Sequence, residues 1–90
     1  MEKRKLRLEK RSVKFLRKLP PKQQMQVARS LQILEENVRP QDSKKLKDID
    51  RWRIDIGEYR AVYWWDEVFV QVVLIGKRND GEVYRKLDRL

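Results

Sequence analysis

The sequence predicts an α+β fold: two N-terminal helices packed on one face of a twisted, mainly antiparallel four-stranded sheet, in the order β-α-α-β-β-β, plus a short C-terminal helix. Three observations carry this expectation. Apolar residues recur with a helical period through the first forty or so positions and with a period of two from Trp52 onward. Pro20 and Pro21 interrupt the helical part, and so short a link between two helices favours an antiparallel hairpin. The 90 residues are 40% hydrophobic and 41% charged, with three Trp, which is too much apolar material for a disordered basic tail and enough for one modest core.

Leu6 and Leu8 alternate with Lys5, Arg7 and Glu9, the pattern of a short half-buried strand. Ser12 can cap the helix expected after it. Val13, Phe15, Leu16 and Leu19 form one apolar stripe among Lys14, Arg17 and Lys18, so this short amphipathic helix is expected to run to about residue 19. Pro20-Pro21 ends it and can open the next helix, because proline is tolerated in a first helical turn, where its missing N–H has no partner to lose. Val27, Leu31, Leu34 and Val38 then recur at i, i+4, i+7 and i+11, with Met25 and Ala28 beside them. This predicts a longer helix over residues 22 to about 38, stopped near Pro40. Residues 41–51 read as a polar loop.

The period then changes. Trp52, Ile54 and Ile56 point one way and Arg53 and Asp55 the other; Tyr59, Ala61 and Tyr63 alternate against Arg60, Val62 and Trp64. Gly57-Glu58 between them is a two-residue hairpin turn in which glycine supplies the positive φ of a type II′ turn. That turn fixes a register: Ile56 opposite Tyr59, Asp55 opposite Arg60, Ile54 opposite Ala61, Arg53 opposite Val62. One face is therefore apolar, and Tyr59, Tyr63, Trp52, Ile54 and Ile56 belong to the core, while the other face gathers Arg53, Asp55 and Arg60. The next turn falls at Trp65, Asp66, Glu67 and Val68. Residues 69–75 are β-branched on both faces, as in a central strand. Gly76 is expected to break it, and Val83, Leu87 and Leu90 outline a weak terminal helix whose Arg85, Lys86 and Arg89 suit its C-terminal dipole.

The 23 Lys and Arg outnumber the 14 Asp and Glu, for a net charge of +9. Residues 1–30 hold 11 basic and 2 acidic side chains, residues 31–60 hold 7 and 7, and residues 61–90 hold 5 and 5. The whole excess thus lies in the first third, and such polarity points to a polyanionic partner, most commonly a phosphate backbone bound with steep salt dependence. Histidine and cysteine are absent, which excludes thiol nucleophiles, histidine-based triads and almost every zinc site. Gly57, Gly76 and Gly81 make no phosphate-binding loop, and the acidic residues lie in turns and loops or beside arginines rather than as a catalytic carboxylate pair. The longest largely apolar run, residues 68–75, contains Gln71 and is far short of the roughly 20 needed to cross a bilayer. The start Met1-Glu2-Lys3-Arg4-Lys5-Leu6 has no apolar h-region, so a cytoplasmic location without membrane contact is expected. What remains for chemistry is Arg, Lys, Tyr and one Asp around a sheet face. Such a set binds phosphate, stacks on a base and stabilises a developing phosphorane, but it is poorly matched to proton transfer near neutral pH. A nuclease built from it is metal-free and works by electrostatics and positioning.

The stretches Lys44-Lys45-Leu46-Lys47, Trp52-Arg53-Ile54-Asp55-Ile56-Gly57-Glu58-Tyr59-Arg60-Ala61-Val62-Tyr63 and Ile75-Gly76-Lys77-Arg78-Asn79-Asp80-Gly81-Glu82-Val83-Tyr84 resemble the RelE/ParE toxin superfamily of type II toxin–antitoxin systems. Phe-Leu-Arg-Lys-Leu-Pro at 15 to 20 looks like the family's usual end of its first helix. The Gly-Lys-Arg block with Glu-Val-Tyr at its end looks like the RelE branch. The likeness covers essentially residues 1–90, as a single RelE-like toxin domain. It implies a ribosome-dependent mRNA endonuclease that cuts the A-site codon: the mRNA 2′-OH attacks the adjacent phosphate, leaving a 2′,3′-cyclic phosphate and a free 5′-OH, with no metal or other cofactor.

Residue by residue, the resemblance puts Arg60 at the phosphate-stabilising arginine. Arg78 falls at the arginine that stabilises the transition state and protonates the leaving group, and Tyr84 at the tyrosine that stacks on a base and orients the nucleophile. Arg53 matches a basic strand position. Asp55 departs from the pattern, standing where the best-known members have the lysine proposed as general base. It can be read as a base itself, as a cross-strand partner holding Arg60, or as a sign of weakened catalysis. Lys44, Lys45 and Lys47, with Lys77 of the Gly-Lys-Arg block, are expected on the RNA backbone, and the basic cluster between Lys3 and Lys22 on rRNA. A cognate antitoxin is implied, with an acidic or amphipathic helix over the basic groove, and operator DNA only through that complex. The rival readings are a ParE-like gyrase poison and a non-catalytic module of an antitoxin–DNA repressor complex.

Overall fold

The computed structural model describes residues 3–78. Strand β1 (Lys5–Leu8) leads into helices α1 (Lys10–Arg17) and α2 (Pro21–Ile33), followed by strands β2 (Ser43–Lys45), β3 (Trp52–Ile56), β4 (Tyr59–Trp65) and β5 (Phe69–Lys77). The strands form one mixed sheet in the order β1-β5-β4-β3-β2, with β1 parallel to β5 and all other neighbours antiparallel. The terminal helix expected around Val83, Leu87 and Leu90, and Tyr84 with it, lie outside the described residues. No helix among the described residues is long and apolar enough to cross a membrane.

The core lies between the helices and one sheet face. Val27, Leu31, Leu34 and Val38 meet Ile54, Ile56, Tyr59, Ala61, Tyr63, Val70, Val72 and Ile75, with Leu6, Leu8, Phe15, Leu16 and Leu19 packed around them. Two periods, 3.6 and 2, thus converge on one apolar layer. Phe15 meets Tyr59 edge-on at 5.9 Å between ring centroids, and Trp52 lies 5.3 Å from Trp65 at the core margin, geometries that add to simple burial.

Tertiary contacts move several boundaries. Ser12 does not cap α1. The helix opens after Glu9, whose N–H donates to Val72 O at 2.9 Å and so extends the β1–β5 ladder to the helix start; Ser12 is one turn in, fully buried, its Oγ 3.4 Å from the same carbonyl. Helix α2 ends at Ile33, not near residue 38, although its stripe stays buried through Val38. The last turn tightens into i→i−3 bonds from Leu34, Glu35 and Glu36, a usual way to satisfy terminal carbonyls. Glu35 is drawn back to β1, where its carbonyl accepts from Arg4 N–H at 2.9 Å and its carboxylate from Leu6 N–H at 3.3 Å. The outer edge of β1 is thereby covered.

The sheet has five strands rather than four. The stretch expected as a loop contains β2, which pairs Ser43 with Ile54, Lys44 with Arg53 and Lys45 with Trp52. Ser-Lys-Lys carries no apolar alternation, so only its pairing with β3 makes it a strand, and lysines are common on such edges. Gly76 does not break β5: it pairs with Arg60, and Lys77 with Tyr59. Ladder bonds from β4 override glycine's low strand preference. Trp65 closes β4 instead of opening the turn.

The β3–β4 hairpin has the anticipated register throughout, from Ile56 opposite Tyr59 to Trp52 opposite Tyr63. Gly57 has φ +58 and Glu58 does not have positive φ, the pattern of II′ rather than I′. One irregularity interrupts β4–β5: Val62 faces Leu74 and Tyr63 faces Val72, leaving Val73 as an extra residue. This bulge puts Val73 and Leu74 together in a second apolar cluster with Leu46, Val62 and Trp64. It also returns Ile75 to the helix side, three residues after Val72 rather than two or four.

Candidate active site

Alternation along β3 and β4 places Arg53, Asp55 and Arg60 on the sheet face opposite the helices. The II′ turn seats Asp55 directly across from Arg60, and a pair so placed is within side-chain reach. Arg60 Nε donates to Asp55 Oδ1 at 2.6 Å, and Arg53 Nη1 donates to Asp55 Oδ2 at 3.0 Å. Arg78, one residue beyond β5, completes the cluster. Its backbone N–H donates to Glu58 O at 3.0 Å, its Nη1 to Gly57 O at 3.2 Å, and its Nη2 stands 4.0 Å from Asp55 Oδ2. Three guanidiniums from three segments thus surround one carboxylate.

Solvent reaches these groups unequally. The side chains of Arg60, Arg53 and Asp55 are 14%, 19% and 22% exposed, whereas Arg78 is 43% exposed. Partial burial raises the Asp55 pKa, but the hydrogen bond and charge of Arg60, followed by the charge and hydrogen bond of Arg53, outweigh it and hold the carboxyl below its ordinary 3.8. Asp55 is therefore ionised near neutral pH and a poorer base than a free aspartate. Of the expected RNA-backbone lysines, Lys44 pairs with Arg53 and shares its face. Lys45 and Lys77 stand opposite Trp52 and Tyr59, so alternation turns them toward the helix side. Lys47 follows β2 and is exposed.

Tyr59 and Tyr63 are core residues, as their alternation requires. Tyr63 is fully buried and its hydroxyl donates to Val38 O at 2.7 Å; burial pushes its pKa up to about 12. The backbone of Gly57 is the part of the cluster that sequence reasoning missed. Its carbonyl orients Arg78 across 21 positions of sequence, and only the placement of β5 beside the hairpin brings the two together. Among the described residues no three acidic side chains gather as a metal ion would require.

No protein-family model matches the sequence, and no curated protein matches it either. Solved structures do. A variant of the E. coli toxin RelE with two arginines replaced by alanine, in the free state, aligns with a TM-score of 0.78 and 29% identity over 98% of both chains. The chain is similar to RelE toxins in fold and, at 28–29% identity, in sequence. A chain of the intact E. coli RelBE toxin–antitoxin complex aligns with a TM-score of 0.72 and 28% identity, over 84% of this chain and 98% of that one. The archaeal RelE–RelB complex from Pyrococcus horikoshii OT3 gives 0.76 and 24% identity over 87% of this chain and 98% of that chain, a likeness of fold. The RelE-like fold therefore spans both helices and the sheet that carries the arginine cluster.

Proposed function

We propose that this chain is the toxin of a type II toxin–antitoxin system and that it cleaves mRNA in the ribosomal A site. The observation that carries the reading is the convergence of Arg53, Arg60 and Arg78 on one anionic point at a RelE-like sheet face. In the proposed reaction the 2′-oxygen of the mRNA loses its proton and bonds to the adjacent phosphorus. The P–O5′ bond breaks, and the 5′-oxygen leaves as a hydroxyl after taking a proton from Arg78, which recovers one from solvent. Charge grows on the non-bridging oxygens, where preorganised guanidiniums act best. Before substrate arrives Asp55 holds Arg60 and Arg53 in place, and the more exposed Arg78 is the one that meets the leaving group.

Asp55 does not serve as base in this scheme, because two arginines stabilise its ionised form. It is the arginine partner. The proton of the 2′-OH goes to water or another acceptor, and rate depends chiefly on stabilising the phosphorane. Tyr84 is proposed as the base-stacking residue from the resemblance of Glu82-Val83-Tyr84, after Gly76-Lys77-Arg78, to the RelE motif. The partner is a cognate antitoxin, in keeping with the complexes of RelE with RelB among the relatives.

Purified ribosomes programmed with mRNA test this directly. The wild-type protein is expected to cut within the A-site codon and leave 2′,3′-cyclic phosphate ends; Arg78→Ala should lower kcat by about 10²–10³-fold, the usual effect of deleting one donor to a developing oxyanion. Intact mRNA under these conditions, with inhibition of gyrase supercoiling instead, would sink the proposal in favour of a topoisomerase poison.

A further inference from the structure

We infer that Asp55 is an internal anion occupying the phosphate position of the arginine cluster, and that phosphate-class ligands bind there by displacing its carboxylate. The inference rests on the reading of this face as a phosphate site, but not on cleavage. Its basis is geometric. Asp55 presents one oxygen to Arg60 Nε at 2.6 Å and the other to Arg53 Nη1 at 3.0 Å, with Arg78 Nη2 at 4.0 Å. These are the donor positions that a phosphodiester's two non-bridging oxygens require, because guanidinium recognises carboxylate and phosphate by the same planar array of N–H groups.

The backbone ladder of the sheet does not depend on this carboxylate. Asp55 keeps its ladder position opposite Arg60, and its backbone N–H is satisfied by Asp42 O at 3.2 Å. The group is therefore spare for the ladder but central as charge. Because its neighbours are mostly buried, its negative potential is screened less than that of a surface residue. An incoming phosphate meets three guanidiniums and one carboxylate already ionised at neutral pH. Ligand and carboxylate compete for the same donors, so the carboxylate lowers affinity, and the arginines become available only as it is displaced.

The test is titration of the full chain with inorganic phosphate at low ionic strength, followed by NMR. Asp55→Asn keeps an oxygen that can accept from Arg60 Nε and removes only the charge. It is expected to bind phosphate at least about tenfold more tightly than wild type. In the wild-type protein, saturation with phosphate should shift the Asp55 carboxyl-carbon resonance, reporting loss of its arginine partners. Equal or weaker binding by a folded Asp55→Asn, or no binding by it at all, overturns the inference. If that variant does not fold, the wild-type titration decides: saturation without movement of the Asp55 resonance also overturns it. Tighter phosphate binding by Asp55→Asn together with intact mRNA in the ribosome assay would leave this inference standing and remove the proposed function.

Discussion

Tyr63 shows how one buried polar atom shapes stability. Its hydroxyl donates to Val38 O at 2.7 Å, tying the segment after α2 to the middle of the sheet. Tyr63→Phe is expected to cost about 1–2 kcal/mol in urea unfolding at neutral pH, since it leaves a buried carbonyl short of its donor. The folded pKa of about 12 lies above the ordinary 10.0, so the folded state keeps a proton that the unfolded state loses. The contribution is fully present below pH 10 and is lost as pH rises toward 12; the gap between wild type and Tyr63→Phe should narrow over that window. Asp55 works at the other end. Its carboxyl is held below 3.8, so its contribution is present above that value and disappears as pH falls through the lowered one. An Asp55→Asn melt should therefore be flatter than wild type on the acid side. Gly57 has φ +58, and a Cβ there would stand 2.9 Å from Gln26 Nε2. Gly57→Ala is expected to destabilise by about 1–2 kcal/mol, mainly through the backbone. The Asp55–Arg60 pair was legible because a two-residue turn plus a period of two determines which side chains face each other. The capture of Arg78 by the Gly57 carbonyl was not, since nothing local to Gly57 or Arg78 encodes it.

At the scale of elements, the bulge at Val73 links the first helix to the site. Val73 O accepts from Arg11 Nε of α1 at 2.8 Å, beyond the point where β1 stops pairing with β5. Bulges re-aim the strand beyond them, and here that strand leads to Gly76, opposite Arg60, and on to Arg78. Arg11→Met is expected to destabilise the fold by about 1–2 kcal/mol and to speed hydrogen exchange at the Val73 and Leu74 amides before exchange in β3 changes. Unaltered exchange at these amides would show that the bulge holds without α1. The long strands of the sheet were readable from alternating apolar residues. The three-residue β2 was not, because an edge strand of Ser-Lys-Lys has no burial pattern to display. The end of α2 was misplaced for a related reason: its apolar stripe continues to Val38, but the backbone leaves the helix where Glu35 turns to serve β1.

Across the whole molecule, the charge and the proposed chemistry are separated. The net +9 comes from the first thirty residues, whereas Arg53, Arg60 and Arg78 lie in thirds of the chain whose charges balance. The proposed binding to ribosomal RNA is thus expected to weaken steeply with salt, the signature of counterion release. Lys44 shares the face of Arg53, while Lys45 points the other way. In a salt titration of binding to a non-cleavable single-stranded RNA, Lys44→Ala should reduce the slope of log K against log salt by nearly one, and Lys45→Ala should leave it unchanged. Equal effects of the two would mean that the RNA runs along the edge of β2 rather than across the sheet face.

Sequence alone determined the features that repeat at short range: two amphipathic helices split by Pro20 and Pro21, the hairpin with its register, the apolar face, and the placing of Asp55 against Arg60. Each arises from periodicity or from one turn's geometry, and none needs knowledge of distant residues. Tertiary structure decided the parallel pairing of β1 with β5, the edge strand β2, the passage of β5 through Gly76, the bulge held by Arg11, and the arrival of Arg78 at the hairpin. These depend on hydrogen bonds between backbone groups far apart in the chain, whose partners no local pattern specifies. The acid in the site could be read from the sequence. That it stands among three arginines, where a phosphate is proposed to bind, required the fold.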